Sequence, residues 1–376
     1  MIENIDFEDI RPYNDDEMPD AVKRVSESIH FYSIAKYLFP DADSHISFID
    51  NFKKSQTVDE FQVQVMDKII RNILQQTSNG LSYSGFEQLS NEKSYMFLSN
   101  HRDIVLDSAI LQVVLHECGL KTSEITFGSN LMLSQFMIDV GKMNKMFKIV
   151  RGGTMREIFE NSLKVSQYMR YAITQKHQST WIAQRNGRTK NGFDTTEVAV
   201  LKMFAMSSSA SFVPNLLELN IVPLVISYEY EPCDFLKTRE IYISKRKQYE
   251  KEPGEDLSSI VHGSMQWKGH IHLAVCEPIT ESELNECDAF PHNDKFKCLA
   301  KIIDKKIHQN YKLHKTNYIA YDLLYNKNTY ISHYSNEDKD AFKNYMSNGL
   351  KDIEGDMKEL ETIFLEMYAA ALSTQL

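Results

Sequence analysis

His101 follows the apolar run Tyr95-Met96-Phe97-Leu98 and the polar pair Ser99-Asn100, and Asp107 stands six residues further on. An apolar run of this length reads as a buried strand. Ser-Asn is turn and cap chemistry. A helical pattern then begins, with Leu106, Ile110, Leu111 and Val114 on one face. A strand that ends in a polar turn and opens a helix presents that turn at the rim of a sheet, where α/β proteins place their chemistry. A His there, with a carboxylate about one helical turn away, can serve as a general base held in one tautomer. Asp103 is a second candidate for that carboxylate. A His near an Asp is more often a structural hydrogen-bonded pair, and the catalytic reading draws its weight from the segments downstream.

Three such segments lie at strand ends. The first is Gly128-Ser129-Asn130-Leu131, followed by Phe147-Lys148-Ile149-Val150-Arg151-Gly152-Gly153. Glycines after a strand let the backbone approach a ligand. Arg151, between a strand and a helix start, suits a phosphate, because a guanidinium makes paired hydrogen bonds and a helix end adds amide donors. A surface Arg paired with a carboxylate is the plainer account. In the second, the apolar strand Trp181-Ile182-Ala183 runs into Gln184-Arg185-Asn186-Gly187-Arg188-Thr189-Lys190. Its cations, interleaved with Gly and Asn, fit an anion, and a solvated basic turn explains them equally well. The third, Ile221-Val222-Pro223-Leu224-Val225-Ile226, is a buried strand starting after a turn. It could line an acyl-chain pocket, although plain core is the better reading.

The elements that must position these residues follow from periodicity. Strands are expected at Tyr95–Ser99, Glu124–Phe127, Phe147–Val150, Thr180–Gln184, Ile221–Tyr228, Arg239–Ser244 and Ile271–Cys276. Helices are expected at Asp107–Cys118, Leu131–Val140, Met155–Gln175 and Thr195–Met206. Their alternation predicts an α/β fold: a mixed, mainly parallel sheet flanked by helices, with helical N- and C-terminal additions. The expected division is a helical N-terminal cap over 1–90, an α/β domain over 91–290 and a helical extension over 291–376. Residues 245–265 read as an exposed loop or short helix. The apolar stripe of Tyr345–Leu372 reads as a helix packed on the domain or a dimer contact.

Composition narrows the function classes. Hydrophobic residues make up 42% and charged residues 25% of the chain, enough to bury a sizeable core. A formal net charge of −10 over 376 residues argues against a general nucleic-acid binder and against strong attraction to anionic lipid. The five cysteines form no CxxC pair and read as reduced thiols. The start, Met-Ile-Glu-Asn-Ile-Asp, lacks the apolar core of a signal peptide. No apolar run approaches the roughly 20 residues of a membrane span. These features predict a cytoplasmic protein, peripheral if it meets the inner face of a membrane. His270 and His272 read as structural, and no metal ligand set is expected.

The order of the four segments resembles the phospholipid/glycerol acyltransferase superfamily, on the glycerol-3-phosphate and 1-acylglycerol-3-phosphate acyltransferase branch. The matching residues are Asn100-His101-Arg102 with Asp107, then Gly128-x-Asn130 with Phe147 to Arg151, then Asn186-Gly187-Arg188-Thr189-Lys190, then Val222-Pro223-Leu224-Val225-Ile226. The match spans about residues 90–235. The chain has one residue more than the family between the His and its Asp. Where the family's third motif has Glu, this chain has Asn186 or Gln184. The resemblance implies transfer of an acyl group from acyl-CoA or acyl carrier protein, as co-substrate without a cofactor, to the hydroxyl of glycerol 3-phosphate or a lyso-lipid such as 1-acylglycerol 3-phosphate, in phospholipid biosynthesis. His101 and Asp107 would be catalytic. Arg102, Asn130, Arg151, Gly187, Arg188, Lys190 and Pro223 would contact substrate. The rival readings are an N-acyl amino acid acceptor, a catalytically weak lipid-binding relative, and a thioester hydrolase.

Overall fold

Seven strands form one sheet: β1 (Gly80–Ser84), β2 (Met96–Ser99), β3 (Glu124–Gly128), β4 (Met146–Ile149), β5 (Thr180–Ala183), β6 (Ile221–Tyr228) and β7 (His270–Val275), in the spatial order β1-β7-β6-β2-β5-β3-β4. This computed structural model describes residues 5–150 and 152–376. All neighbours are parallel except β6 and β7. The fold is α/β, with a mixed, mostly parallel sheet and helices on both faces.

Side-chain alternation explains the layering, because successive residues of a strand point to opposite faces. Met96 and Leu98 of β2, Ile182 of β5, Ile221 and Val225 of β6 and Ala274 of β7 pack on one face with Met155–Thr174 and Asp294–Asn310. Phe97, Trp181, Val222, Leu224, Ile226, Ile271 and Leu273 pack on the other with Asp67–Thr77 and Leu106–Glu117. Strand β6 is buried along its whole length, as a strand covered on both faces must be. The N-terminal helices Met18–Ser26, Ile29–Leu38 and Ala42–Lys54 hold a separate apolar cluster built on Phe31, Phe48 and Phe52.

Strand β1 was not anticipated by the sequence reading. Only Leu81 and Tyr83 of Gly80–Ser84 are apolar, and the strand is largely exposed at the sheet edge, so it lacks the signature of a buried strand. It pairs with β7, so residues 1–90 supply part of the sheet. The expected strand Arg239–Ser244 is instead the second half of helix Asp234–Ser244. Its apolar core, Ile241-Tyr242-Ile243, is too short to distinguish strand from helix, and Cys233 in a left-handed conformation (φ 58°) starts the helix upstream. The expected helix at 131–140 begins later, as Gln135–Met143, because the Ser134 hydroxyl caps the Met137 amide. The 245–265 segment contains the helix Glu255–Met265.

The apolar stripe of 345–372 is split between helices Asn336–Leu350 and Met357–Ser373, with Gly355 (φ 158°) and the capping Asp356 between them. Its residues Leu350, Leu360 and Phe364 are buried against Lys315–Leu324. This layer is fastened by Asp234, whose carboxylate accepts from the hydroxyls of Tyr345 (2.9 Å) and Tyr368 (2.7 Å) and from Gln266 Nε2 (2.9 Å).

Burial outweighs those donors and pushes the Asp234 carboxyl up to about 6. An unfolded Asp titrates near 3.9. Between those values the folded chain keeps a proton that the unfolded chain has lost. The Asp234 contribution is therefore most favourable below about pH 4, falls as pH rises to about 6, and is flat above that. Two units correspond to about 3 kcal/mol. Urea unfolding of the wild type and Asp234→Asn between pH 4.5 and 7 should show the wild type losing about 2 kcal/mol of this relative to the variant. A difference independent of pH would contradict the assignment.

Candidate active site

Strand β2 ends at Ser99, and the chain crosses the top of the sheet through Asn100, His101, Arg102 and Asp103 before entering helix Leu106–Glu117. Asp107, in the first turn of that helix, is where the turn converges. Its Oδ2 accepts from His101 Nδ1 (2.9 Å) and from the amides of Arg102 (2.6 Å) and Asp103 (2.9 Å). Its Oδ1 accepts from the Tyr228 hydroxyl at the end of β6 (2.9 Å). These donors suit an ionised carboxylate, which can only accept. The proton of His101 therefore lies on Nδ1, and Nε2 carries the lone pair. Nε2 makes no hydrogen bond with any described residue, and the side chain is 10% exposed. The ring meets Trp181 edge-on at 5.9 Å.

Asp103 has a different task. Its Oδ1 accepts from the amides of Val105 (2.9 Å) and Leu106 (2.8 Å), which caps the helix entrance. Its buried Oδ2 has no hydrogen-bond partner among the described residues. Burial, then the charge of Asp107, pushes the Asp103 carboxyl above its ordinary value. Asp107 is thus the carboxylate that orients His101, and the extra residue in the turn is accommodated.

The turn is locked from below. The Asn100 side chain substitutes for a backbone peptide beside β6, accepting from the Ile226 amide (2.8 Å) and donating to the Ile226 carbonyl (3.0 Å). Arg102 was expected to contact substrate, but it points inward and is 2% exposed. It donates to Asp194 (2.7 Å), Glu231 (3.1 Å) and the Gly192 carbonyl (3.0 Å), with its guanidinium 5.4 Å from the centre of the Tyr311 ring. Lys237 completes the cluster, bonding Glu231 (2.6 Å) and the Arg102 carbonyl (2.8 Å). Both terminal nitrogens of the guanidinium are committed in this way, and the remaining Nε is buried beneath the turn without a hydrogen-bond partner among the described residues.

The 184–194 segment lies alongside. The Thr189 amide donates to the His101 carbonyl (2.6 Å), and its hydroxyl to Asp194 (2.8 Å). Gly187 adopts a left-handed φ of 76°. Gly192 (φ 80°) admits no side chain, since a Cβ would sit 2.0 Å from the Met367 carbonyl oxygen. Arg188 lies close enough to Asp103, Cys233 and Asp256 to act on their titration, and its Nη1 has no hydrogen-bond partner. Lys190 is instead ion-paired to Glu240. Asn130 is exposed and donates to Asp256 (2.9 Å) on helix Glu255–Met265. Arg151 lies outside the described residues. Pro223 does not line the site: it sits in β6 opposite Leu98, buried in the sheet face away from Asp107.

The residues that sequence reasoning missed are Tyr228, Asp194, Glu231 and Lys237. Only Tyr228 left a trace, as a polar-tipped residue closing an apolar strand. Near the expected third-motif Glu, Gln184 is buried and Asn186 is exposed, with the Asn186 amide bonded to Glu197 (3.2 Å). His272 bonds Ser82 (2.8 Å) and Ser84 (3.1 Å) of β1, and burial lowers it to about 4. A cavity of about 1150 Å³ opens away from this site, at the β1 edge of the sheet, beside Ser84 and Val275. No described helix is long and apolar enough to cross a membrane.

No protein-family model and no curated protein matches the chain. Among solved structures, the 1-acyl-sn-glycerophosphate (LPA) acyltransferase PlsC from Thermotoga maritima is similar at 8% identity and a TM-score of 0.38, over 78% of this chain and 94% of that one.

The two cations of this region should differ sharply in energetic weight. Arg102→Ala leaves the buried Asp194 without its cation and Glu231 with Lys237 alone, at a cost of about 3–5 kcal/mol. Lys190→Ala removes a pair whose lysine is 35% exposed, worth about 1 kcal/mol or less. Urea midpoints will compare them, and equal losses would refute the buried-network assignment.

Proposed function

We propose that this protein is an O-acyltransferase that moves an acyl group from a thioester donor to the hydroxyl of a small anionic acceptor. The carrying observation is the tautomer lock at His101: Nδ1–H is fixed on Asp107, and Nε2 is left without a protein partner. The sequence resemblance supplies the reaction class, and the geometry is compatible with it.

In this reading Nε2 takes the proton from the acceptor hydroxyl as the oxygen attacks the thioester carbonyl. The tetrahedral intermediate then collapses, the C–S bond breaks, and the imidazolium returns the proton to the departing thiolate. Asp107 holds the ring and stabilises its charged form. A positioned base contributes about 10²–10⁴ in rate, and holding two substrates in line contributes more. Arg188, with an unpartnered Nη1, would bind the acceptor's anion, with Asn130 and the Gly187 backbone nearby. Arg151 remains a candidate for the same task. The acceptors favoured are glycerol 3-phosphate and 1-acylglycerol 3-phosphate, and the donors acyl-CoA or acyl carrier protein. This would make the protein a phospholipid-synthesis enzyme on the cytoplasmic side, peripheral to the membrane.

A second acceptor class is a lyso-lipid that carries a carboxylate, such as an N-acyl amino acid. The observation that favours it is the commitment of Arg102 and Lys190 to internal carboxylates, which leaves fewer cations for a dianionic phosphate.

Thiol release from acyl thioesters, measured with and without each acceptor, tests the proposal. Release should require an acceptor and should fall at least about 10²-fold in His101→Ala. Asp107→Asn should lose activity far more than Asp103→Asn. Full activity in a folded His101→Ala protein would overturn the reading. Acceptor-independent release would mark a hydrolase, and no release at all a binding protein.

A further inference from the structure

The five cysteines do not behave alike. Cys233 and Cys276 are buried singly, with their sulfurs against the carbonyls of Ser259 (3.4 Å) and Lys306 (3.5 Å), and Cys118 is exposed. Cys287 and Cys298 form a pair, with Cys287 Sγ donating to Cys298 Sγ at 2.7 Å. They project from helices Glu281–Asp288 and Asp294–Asn310, which ion pairs already hold together, Lys306 to Glu283 (2.9 Å) and Lys295 to Asp288 (3.1 Å). The two sulfurs can therefore meet without moving either helix.

The two thiols are also unequal. Cys287 is fully buried, whereas Cys298 is half-buried and lines the 1150 Å³ cavity beside Lys297, Lys301 and Ile302. A small molecule in that cavity reaches Cys298 and not Cys287. Burial, then the hydrogen bond to Cys298, pushes the Cys287 thiol far above its ordinary range. An accessible sulfur that accepts a hydrogen bond from a buried protonated one is the arrangement in which the outer thiol is the better nucleophile.

We propose that Cys298 and Cys287 form a dithiol that exchanges with small disulfides such as glutathione disulfide, with Cys298 as the entry thiol and Cys287 as the resolving thiol. The Cys298 thiolate attacks one sulfur of the disulfide, the S–S bond breaks, and one small thiol leaves. Cys287 Sγ then attacks Cys298 Sγ as its proton passes to the departing small thiolate, and the second small thiol leaves. Two protein thiols are oxidised to one disulfide, and one small disulfide is reduced to two thiols. The new bond joins the two helices. Helix Asp294–Asn310 also bonds the 194–196 segment, through Asp304 to the Thr196 amide (2.7 Å) and His308 to the Asp194 carbonyl (2.6 Å), so the redox state of the pair bears on an element that supports the candidate site.

The test is mass spectrometry of the full-length, folded protein in a Cys118→Ser background, treated with glutathione disulfide and then alkylated. The expected product has lost two alkylatable thiols, carries no glutathione, and yields a peptide joining Cys287 to Cys298 that dithiothreitol reverses. Cys287→Ser should retain one glutathione on Cys298, and Cys298→Ser should retain none. An unchanged thiol count in the chain with both cysteines, a disulfide between other positions, or a lasting glutathione on Cys298 with Cys287 present would overturn the proposal. None of these outcomes depends on acyl transfer.

Discussion

The Asp107 carboxylate is the constraint on which the rest of the candidate site depends. Burying a carboxylate costs several kcal/mol, and a hydrogen bond to a charged group returns about 1.5–3 kcal/mol. One or two donors would leave the balance unfavourable. Asp107 has four, from the His101 ring, the amides of Arg102 and Asp103, and the Tyr228 hydroxyl. They come from three parts of the local structure: the ring that would do chemistry, the two amides of the turn after β2, and the far end of β6. The same contacts that make the carboxylate tolerable fix the ring angle, the turn and the helix entrance together.

A second buried cluster supports the first. Arg102 and Lys237 face Asp194 and Glu231, two cations against two carboxylates, with no side chain of the four more than 5% exposed. Its members come from the β2 turn, the 184–194 segment and the stretch after β6. Helix Met357–Ser373 closes over it, with Met367 against Gly192 and the Tyr368 hydroxyl accepting from the Glu231 amide (2.9 Å). The C-terminal layer is therefore part of what holds the turn in place, although it carries no candidate catalytic group. A charge cluster of this kind is stable only as a whole, since removing one member leaves another unpaired.

What the sequence revealed, and what it hid, follows from the range of the interactions involved. The strand–turn–helix around His101 was legible because it is local: an apolar run, a cap pair and a helical period lie within twenty residues, and Asp107 lies on the first turn of the helix they predict. The two-faced layering of β2, β5 and β6 was legible for the same reason, as period-two burial. The destinations of the cations were not. Arg102, Arg188 and Lys190 look alike in sequence, yet the first is walled in by Asp194 and Glu231, the third is paired with Glu240, and Arg188 keeps its terminal Nη1 without a hydrogen-bond partner among the described residues. That sorting is decided by carboxylates 50 or more residues away in sequence from the cation each one pairs with. Pro223 was misplaced by a subtler route. A residue in a strand next to the site can face either layer, and the alternation that puts Leu224 and Ile226 toward Asp107 turns Pro223 away. Strand β1 escaped because an exposed edge strand need not carry an apolar pattern.

The strengths of the ties around His101 are graded, and the grading fits a base that must keep its angle while ligands exchange. Beneath and behind the ring the ties are buried, and the central ones are charge-assisted: Asp107, then Arg102 with its carboxylates. On the side of helix Glu255–Met265 the charged ties are more exposed, Asn130 to Asp256 and Lys251 to Asp256, and the buried one is a weak thiol contact, Cys233 to the Ser259 carbonyl. Exposed pairs contribute about 1 kcal/mol or less each, whereas breaking a buried one costs several. Gly263 lets this helix sit directly on Asp103, where a Cβ would lie 2.2 Å from Oδ2. The contact is close but adds no hydrogen bond, and Asp103 Oδ2 stays unpartnered beneath it. Local opening follows the weakest set of contacts. On these contacts the helix facing the turn opens more easily than the turn that carries the imidazole.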